Sequence, residues 1–599
     1  MAKLGQVLRE ARERRGCSWE EIAEATGIWP RYVLALEQEN YEKFTSVAHL
    51  TSCLRLYARY LRLDAEEMIA LSEEAIMGQP RDRQAPSATS AGIAYPTLLK
   101  SLTASIVFLL LAVAAVYAYQ RLRWSRSTGT MPVVAESGET PISPSPTPTP
   151  QFNAYLPISG TALPRYTITA TLDYEGHSLD VQERIDYANN TGETLRHIVL
   201  NVFPNHEAGV FALDDLSLEF GRGTVTTTHT LQGMALRVPL PRELAPEQVV
   251  TLLLDFSLNL PFIDPAADFT AGSLGWSERA VNVGHWYPAL APYVAGAGWY
   301  TFPYYPVGDP YVMEEADYEV QIWVPTGVTV VGSGSQEQDG NLWRYSVPQA
   351  RSFAFAASDQ YLSHSTEISG TTVTSYYFPE HEGAGVQVAE FAAEALEVYS
   401  DQFGVLYPYA DYRVAEAEFA GGMEFSGLSF LGAVWYQTYP GGVRSQLIHL
   451  LVHEVSHQWW YGLVGSDQVR EPWLDESLAT FSGLLFYKLR YPDDDLWAWE
   501  FGVFDWQPTG RIDAPIYVFA DQRSYMNAVY RRGAIFLSDL RQAVGRQEFY
   551  AFLQDYCQSQ SHKLSTADDF FSILARHTNE DLSPLLEEYF TQEEGEEES

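Results

Sequence analysis

Apolar and polar positions change rhythm several times along the chain, and each change marks a segment. Over residues 1–77 apolar side chains recur at helical spacing, which predicts helices over Leu4–Arg15, Trp19–Ala25, Pro30 onward, Val47–Tyr60 and Asp64–Ala75. Ser18 with Glu21 forms a capping-box pattern, Gly27 makes a turn and Pro30 opens the next helix, with Tyr32, Val33 and Leu36 facing inward. This is helix-turn-helix spacing. Residues 78–100 are polar, with Pro80 and Pro86, and read as a linker. Residues 101–120 carry no charge and are flanked by Lys100, Arg121 and Arg123. That length predicts a helix crossing a bilayer, with Tyr117 and Tyr119 at its interface. Residues 121–156 are rich in Ser, Thr and Pro and read as an extended spacer.

From 157 to 365 the period becomes two, as in Tyr166–Leu172 and Val249–Phe256, with turn residues such as Asn189-Asn190-Thr191-Gly192 between runs. This predicts a mostly antiparallel β domain whose aromatics Trp299, Tyr304 and Tyr305 belong to the core. Residues 366–592 mix both periods: a helix over Val386–Phe403, a strand over Arg413–Phe419, then helices over Gly533–Ala543, Arg546–Gln558 and Thr566–Thr578. The fold class is therefore multidomain, an all-α module and an antiparallel β domain before an α+β domain. Residues 593–599 are an acidic tail.

Composition narrows the partners. At 46% hydrophobic the 599-residue chain can fill several cores. A formal net charge of −39 repels phosphates and anionic lipid heads, so nucleic acid is disfavoured as a partner. Cys17, Cys53 and Cys557 are too scattered for a disulfide framework or a thiolate metal site. Any metal site must be built from His and carboxylates.

Such a site is offered by HEVSH at 453–457. His453 and His457 lie four apart on one helical face and can reach one ion. Glu454 projects beside them, placed to hold a water and take its proton. Arg444–Val452 leads in as a buried helix that Gly462 can end, and Pro472 opens a second helix bearing Glu476. Two His and one Glu make the open three-ligand zinc set of a hydrolytic site. Upstream, the glycines of Gly421-Gly422-Met423-Glu424-Phe425 let a ligand backbone approach closely. Asp493-Asp494-Asp495 reads as a solvated turn rather than a calcium site.

HEVSH, eighteen residues, then Glu476 within WLDES resembles the gluzincin aminopeptidases, the family of aminopeptidase N and leukotriene A4 hydrolase. The resemblance spans about 160–590 and is strongest over 420–535. It implies a thermolysin-like catalytic domain at 366–592 binding one zinc ion through His453, His457 and Glu476, with Glu454 as base. Tyr530, in YRRG where the family has Y-x-K-G, would donate to the oxyanion. Gly421, Gly422 and Met423 would pair with the peptide backbone, and Glu424 would bind the free N-terminus of peptide substrates. Asp475, Ser477, Phe425 and the Arg531-Arg532 pair depart from the family's usual residues. Phe425 leaves the shape of the amine pocket open. Larger members carry a further helical roof domain; a chain without it would have a more open cleft, and internal cleavage is the alternative activity.

The segment from Gly5 to Phe44, followed by LRLYARYLRLD, resembles the cytoplasmic domain of the RodZ cell-shape protein. That resemblance implies a protein partner in the cytoplasm. Only Arg31 could read bases on the helix at Pro30, and Glu37 and Glu39 would oppose phosphate. It also places the N-terminus inside and the peptidase part outside a single-pass membrane protein, which the similar flanking charges do not decide. A third reading is a membrane scaffold or sensor with a secondary peptide-binding domain.

Overall fold

The computed structural model describes residues 163–590 apart from 222 and 264–271, together with 4–15, 17, 22, 30–39 and scattered positions between 54 and 71. The expected linkers, the span at 101–120 and the acidic tail lie outside the described residues. Among the described residues no helix is long and apolar enough to cross a membrane.

In the N-terminal module, helices Leu4–Arg15 and Pro30–Glu37 bury Leu8, Val33 and Leu36 with Ile22, Leu54 and Tyr57. The Tyr32 side chain lies outside the described residues. Glu37 is buried, 3% exposed; it accepts from Arg12 Nε at 2.6 Å and from the Tyr57 hydroxyl at 2.6 Å. That corrects one expectation: Glu37 is an internal ion-pair partner and opposes no phosphate. Glu39 accepts from the Gly5 amide.

The β domain is built on an eight-stranded sheet in which Ala316–Trp323 lies between Leu342–Ala350 and Arg165–Asp173. Its pairings are antiparallel except that Arg165–Asp173 runs parallel to Ala316–Trp323. Burial alternates along Arg165–Asp173 and Ser178–Ala188, as the period-two pattern requires. Two further four-stranded sheets and the two-stranded pair Tyr293–Val294 with Gly298–Trp299 complete the domain. Of the three aromatics expected in the core, Trp299 and Tyr305 are half-buried, but Tyr304 is exposed and stacks on His206 at 3.9 Å. A surface imidazole gives that ring a partner outside the core.

The catalytic part opens with a five-stranded mixed sheet ordered Leu362–Ile368, Thr371–Tyr377, Asp411–Ala417, Leu428–Gly432, Gly422–Phe425. Its first strand straddles 365/366, because a turn at Ser369-Gly370 folds it onto Thr371–Tyr377. Gly422–Phe425 is the edge strand, paired on one side only. Helices Glu382–Phe403, Gln446–Ser456, Trp473–Arg490, Gly533–Val544 and Arg546–Gln560 form the rest of the core. Arg351, 2% exposed, joins the two parts: it donates to the carbonyls of Met313, Tyr461 and Lys563 and lies 3.6 Å from Glu315. Asp494 pairs with Arg444 and Asp495 starts a helix.

Candidate active site

The helix carrying HEVSH starts where Ser445 Oγ accepts from the Ile448 amide at 3.2 Å. Leu447, Ile448, Leu451, Val452 and Val455 bury its apolar face. It ends at Ser456, not at Gly462 as expected. Short turns at Gln458 and Trp459 swing Trp459 and Trp460 into the core, which fixes the exit earlier. The second helix, Trp473–Arg490, is buried along most of its length and presents Asp475 and Glu476 in its first turn.

These two helices bring the three expected ligands together. The ligand atoms of His453, His457 and Glu476 lie within 4.8 Å of one another. Glu476 Oε2 stands 3.3 Å from His453 Nε2 and 3.6 Å from His457 Nε2, and the two Nε2 atoms are 3.1 Å apart. His457 Nδ1 faces two acceptors, Asp475 Oδ1 at 2.7 Å and the Trp460 carbonyl at 2.9 Å. Nδ1 therefore carries the proton, and Nε2 is left to face its partners. Asp475 is in turn held by Gln468 Nε2 at 2.6 Å.

The electrostatics ask for a cation at this point. Burial opposes the charged form of His457, yet the Asp475 and Glu424 carboxylates raise its pKa well above the usual imidazole range. Burial also works against the Glu476 carboxylate, but the two imidazoles beside it hold its pKa well below normal. A proton on His457 or a metal ion in its place answers the same surplus of negative charge. Two imidazoles and one carboxylate, converging and braced from behind, fit zinc.

Glu454 is buried beside the ligands, and its Oε2 has no hydrogen-bond partner. Burial, with Glu476 adding to it against the charge of His457, pushes its pKa up to about 8. A group poised there can both take and return a proton near neutrality. The edge strand runs directly over it: a Cβ at Gly422 would meet Glu454 Oε1 at 2.1 Å, so any larger residue there displaces the Glu454 carboxylate. Strand alternation sorts the other expected residues. Gly422 and Glu424 line the cleft, and Glu424, Glu454 and His457 converge within 4.8 Å. Met423 and Phe425 point the other way, into a core with Val331, Phe419 and Phe430. Met423 can therefore meet a substrate only through its backbone. Phe425, packed against His285 at 5.2 Å, does not line the cleft. Gly421 is buried and accepts from the Gly432 amide at 2.9 Å.

Tyr530 arrives on a π-helix, Met526–Arg532, a wide turn often found at functional sites. Its ring stacks on His453 at 5.6 Å. Burial and the neighbouring Glu476 raise its pKa, so the phenol stays a donor. Ser477 supports the wide turn by donating to the Val529 carbonyl at 2.7 Å, and a Cβ at Gly533 would collide with Ser477 Oγ.

Asp309 was not legible in sequence. This β-domain loop residue lines the same cleft, and burial with the charges of Glu476 and Asp475 pushes its pKa up to about 8. Gly308, beside it, donates to Gln522 Oε1 at 3.1 Å and lies close against Tyr525. Nothing in the local pattern of Gly308-Asp309-Pro310 signals a catalytic neighbour. Gln468, which bridges Asp475 and Glu424 (3.3 Å to Glu424 Oε1), was missed for the same reason.

Comparison with known proteins agrees with this geometry. Residues 388–589 match the Peptidase family M1 domain. Residues 7–68 match a helix-turn-helix domain. Over 243 residues the chain is 26% identical to Aminopeptidase M1-B of Oryza sativa subsp. japonica, covering 38% of this chain and 27% of that protein. Endoplasmic reticulum aminopeptidase 1 of Homo sapiens is 26% identical over 236 residues, covering 37% and 25%. The chain thus spans about a quarter of the length of the curated relatives it matches. Among solved structures, an M1 zinc metallopeptidase from Deinococcus radiodurans superposes with a TM-score of 0.50 at 19% identity, covering 70% of this chain and 92% of that one. A two-domain M1 zinc metallopeptidase mutant bound to L-tryptophan gives 0.51 at 19% identity, covering 73% and 96%. At this identity the likeness establishes the fold: the M1 arrangement of a β-rich domain before the metallopeptidase domain.

Proposed function

We propose that the chain is a zinc-dependent aminopeptidase that removes N-terminal residues from peptides. The observation that carries this reading is Glu424, a buried carboxylate on an open sheet edge, converging with Glu454 and His457. A peptide laid along that edge as an added strand would bring its α-ammonium to Glu424 and its first carbonyl to the metal ligands. His453, His457 and Glu476 would hold zinc, which supplies Lewis acidity toward water and the scissile carbonyl. Glu454 takes the proton from the attacking water and passes it to the leaving amine. The Tyr530 hydroxyl donates to the oxyanion as it forms, a contact stronger in the transition state than in the ground state. Glu424 gives the α-ammonium a carboxylate to pair with, a contact that an acyl-blocked peptide cannot make.

The test compares leucyl peptides with free and N-acetylated amines. Cleavage restricted to the free amine, and abolished in Glu454→Gln with zinc content unchanged, is the expected result. Equal cleavage of both would make the enzyme an endopeptidase. The uncharged run at 101–120 supports membrane anchoring, and the resemblance of residues 5–44 to the RodZ cytoplasmic domain supports an N-terminal module that binds a protein in the cytoplasm, with the peptidase part extracytoplasmic. Protease added to intact cells should then remove the peptidase part and leave residues 1–77.

A further inference from the structure

The cavity beside the metal ligands encloses about 500 Å³ and has two chemically distinct ends. Glu424 marks one. Gln468 ties it to Asp475, at the junction where the HEVSH helix ends and the Glu476 helix begins. His449 lies one turn before His453, and Thr480 one turn after Glu476; both line the cavity away from that junction. Gly483 lies against Val452 and His453, so the two helices run antiparallel and both walls extend in the same direction. A peptide with its ammonium on Glu424 and its first carbonyl at the ligands therefore sets its second residue among His449, Thr480, Trp506 and Arg531.

Arg531 is the unusual member of this wall. It is 8% exposed, its guanidinium stacks over Trp506 at 4.1 Å, and it donates to Asn527 Oδ1 at 3.0 Å and the Gly502 carbonyl at 3.3 Å. Both acceptors are neutral. Among the described residues no carboxylate lies within ion-pair distance of it, although the chain holds 77 acidic against 38 basic residues. Arg523, exposed at the mouth, lines the same cavity. Burial pulls Arg531 down to about 10, which leaves it charged at neutral pH. A buried guanidinium without a counter-ion is costly to keep, and its planar fork matches a carboxylate.

We propose that this end of the cavity is the leaving-group subsite and that Arg531 selects peptides whose second residue bears a carboxylate. The inference rests on the aminopeptidase reading above. The carboxylate is either an Asp or Glu side chain or the terminal carboxylate of a dipeptide, and two substrate pairs separate these sources. The first pair is C-terminally amidated tetrapeptides beginning leucyl-glutamyl or leucyl-glutaminyl. The second is leucyl-alanine and its amide.

With the wild-type chain loaded with zinc, kcat/KM for the charged member of at least one pair should exceed that of the neutral member by roughly tenfold or more, as expected for a charge-assisted hydrogen bond. The ratio should fall toward one in Arg531→Gln and persist in part in Arg531→Lys, with melting temperatures checked for all three. Should the glutamine variant not fold, the wild-type ratios decide alone. Equal rates within both pairs overturn the proposal. Cleavage of no free-amine peptide would instead sink the aminopeptidase reading. The preference is then read as binding of the same peptides to Glu454→Gln by calorimetry, where tighter binding of a charged member supports the subsite and equal binding rejects it.

Discussion

Gly422→Ala isolates the position of Glu454, the proposed general base, from everything else in the site. The added Cβ would sit 2.1 Å from Glu454 Oε1 and 2.5 Å from its Cδ, where real contacts do not fall below 3.0 Å. Gly422 has no positive φ and pairs normally with Leu431, so alanine suits the strand. The clash can be relieved only by moving the free end of the Glu454 side chain, by about 0.9 Å, from 2.1 Å to at least 3.0 Å. That movement is cheap for folding, and stability should change by less than about 1 kcal/mol. It is expensive for catalysis, since a misplacement of about 1 Å can cost roughly a hundredfold in rate. The assay is turnover of leucine 4-nitroanilide, with zinc content by atomic absorption and a thermal melt on the same sample. The expected outcome is a near-normal melt, one zinc per chain and kcat lowered about a hundredfold. Wild-type turnover by this variant would show that Glu454 does not act from the place described.

Tyr530→Phe should keep the fold and the metal while lowering kcat by about 10²–10³, the usual cost of one oxyanion donor; unchanged kcat in steady-state assays would remove the tyrosine from the mechanism. Asp475→Ala leaves His457 Nδ1 with only the Trp460 carbonyl, so zinc affinity, read by competition with a chelating dye, should fall about 10- to 100-fold. Glu183 lies buried in the β sandwich with neither oxygen partnered, and burial raises its pKa well above 4.5. A carboxyl with a raised folded-state pKa costs stability that appears as pH climbs above the unfolded value; Glu183→Gln should therefore be increasingly more stable than wild type above pH 4.5, by about 1.4 kcal/mol per pH unit until the folded pKa is reached, and parallel melting curves from pH 5 to 8 would contradict this.

What could be read from the chain was what depends on local period. His453 and Glu454 lie on one helix and His457 caps its end with a backbone still in the helical region, so their relation is set by 3.6 residues per turn and needs no tertiary knowledge. The strand around Glu424 obeys the period of two just as strictly, and that period alone assigns Gly422 and Glu424 to one face and Met423 and Phe425 to the other. Phe425 looked like a change to the amine pocket only while its phase was unassigned. Once Glu424 is taken as cleft-facing, its neighbour must be core, and the structure packs it against His285 and Phe430. The glycine at 422 signalled a close approach, but not that the approaching group is the side chain of Glu454.

The parts that stayed hidden share a different cause. The residues Met526–Arg532 have an ordinary helical pattern, and the π-helix they form is braced by Ser477, some fifty positions earlier, donating to the Val529 carbonyl. Where the related aminopeptidases usually carry glycine at that position, this chain has a hydroxyl in contact with the turn that aims Tyr530. Asp309 reaches the cleft because the β domain is clamped onto the catalytic part by Arg351, whose carbonyl partners come from both. No sequence window contains either relation. It follows that the site is a property of the docked pair of domains. Weakening the clamp at Arg351, far from any reacting atom, would disturb the placement of Asp309 and Gly308 against Gln522 and Tyr525 before it disturbed the zinc ligands, which the two central helices hold by themselves.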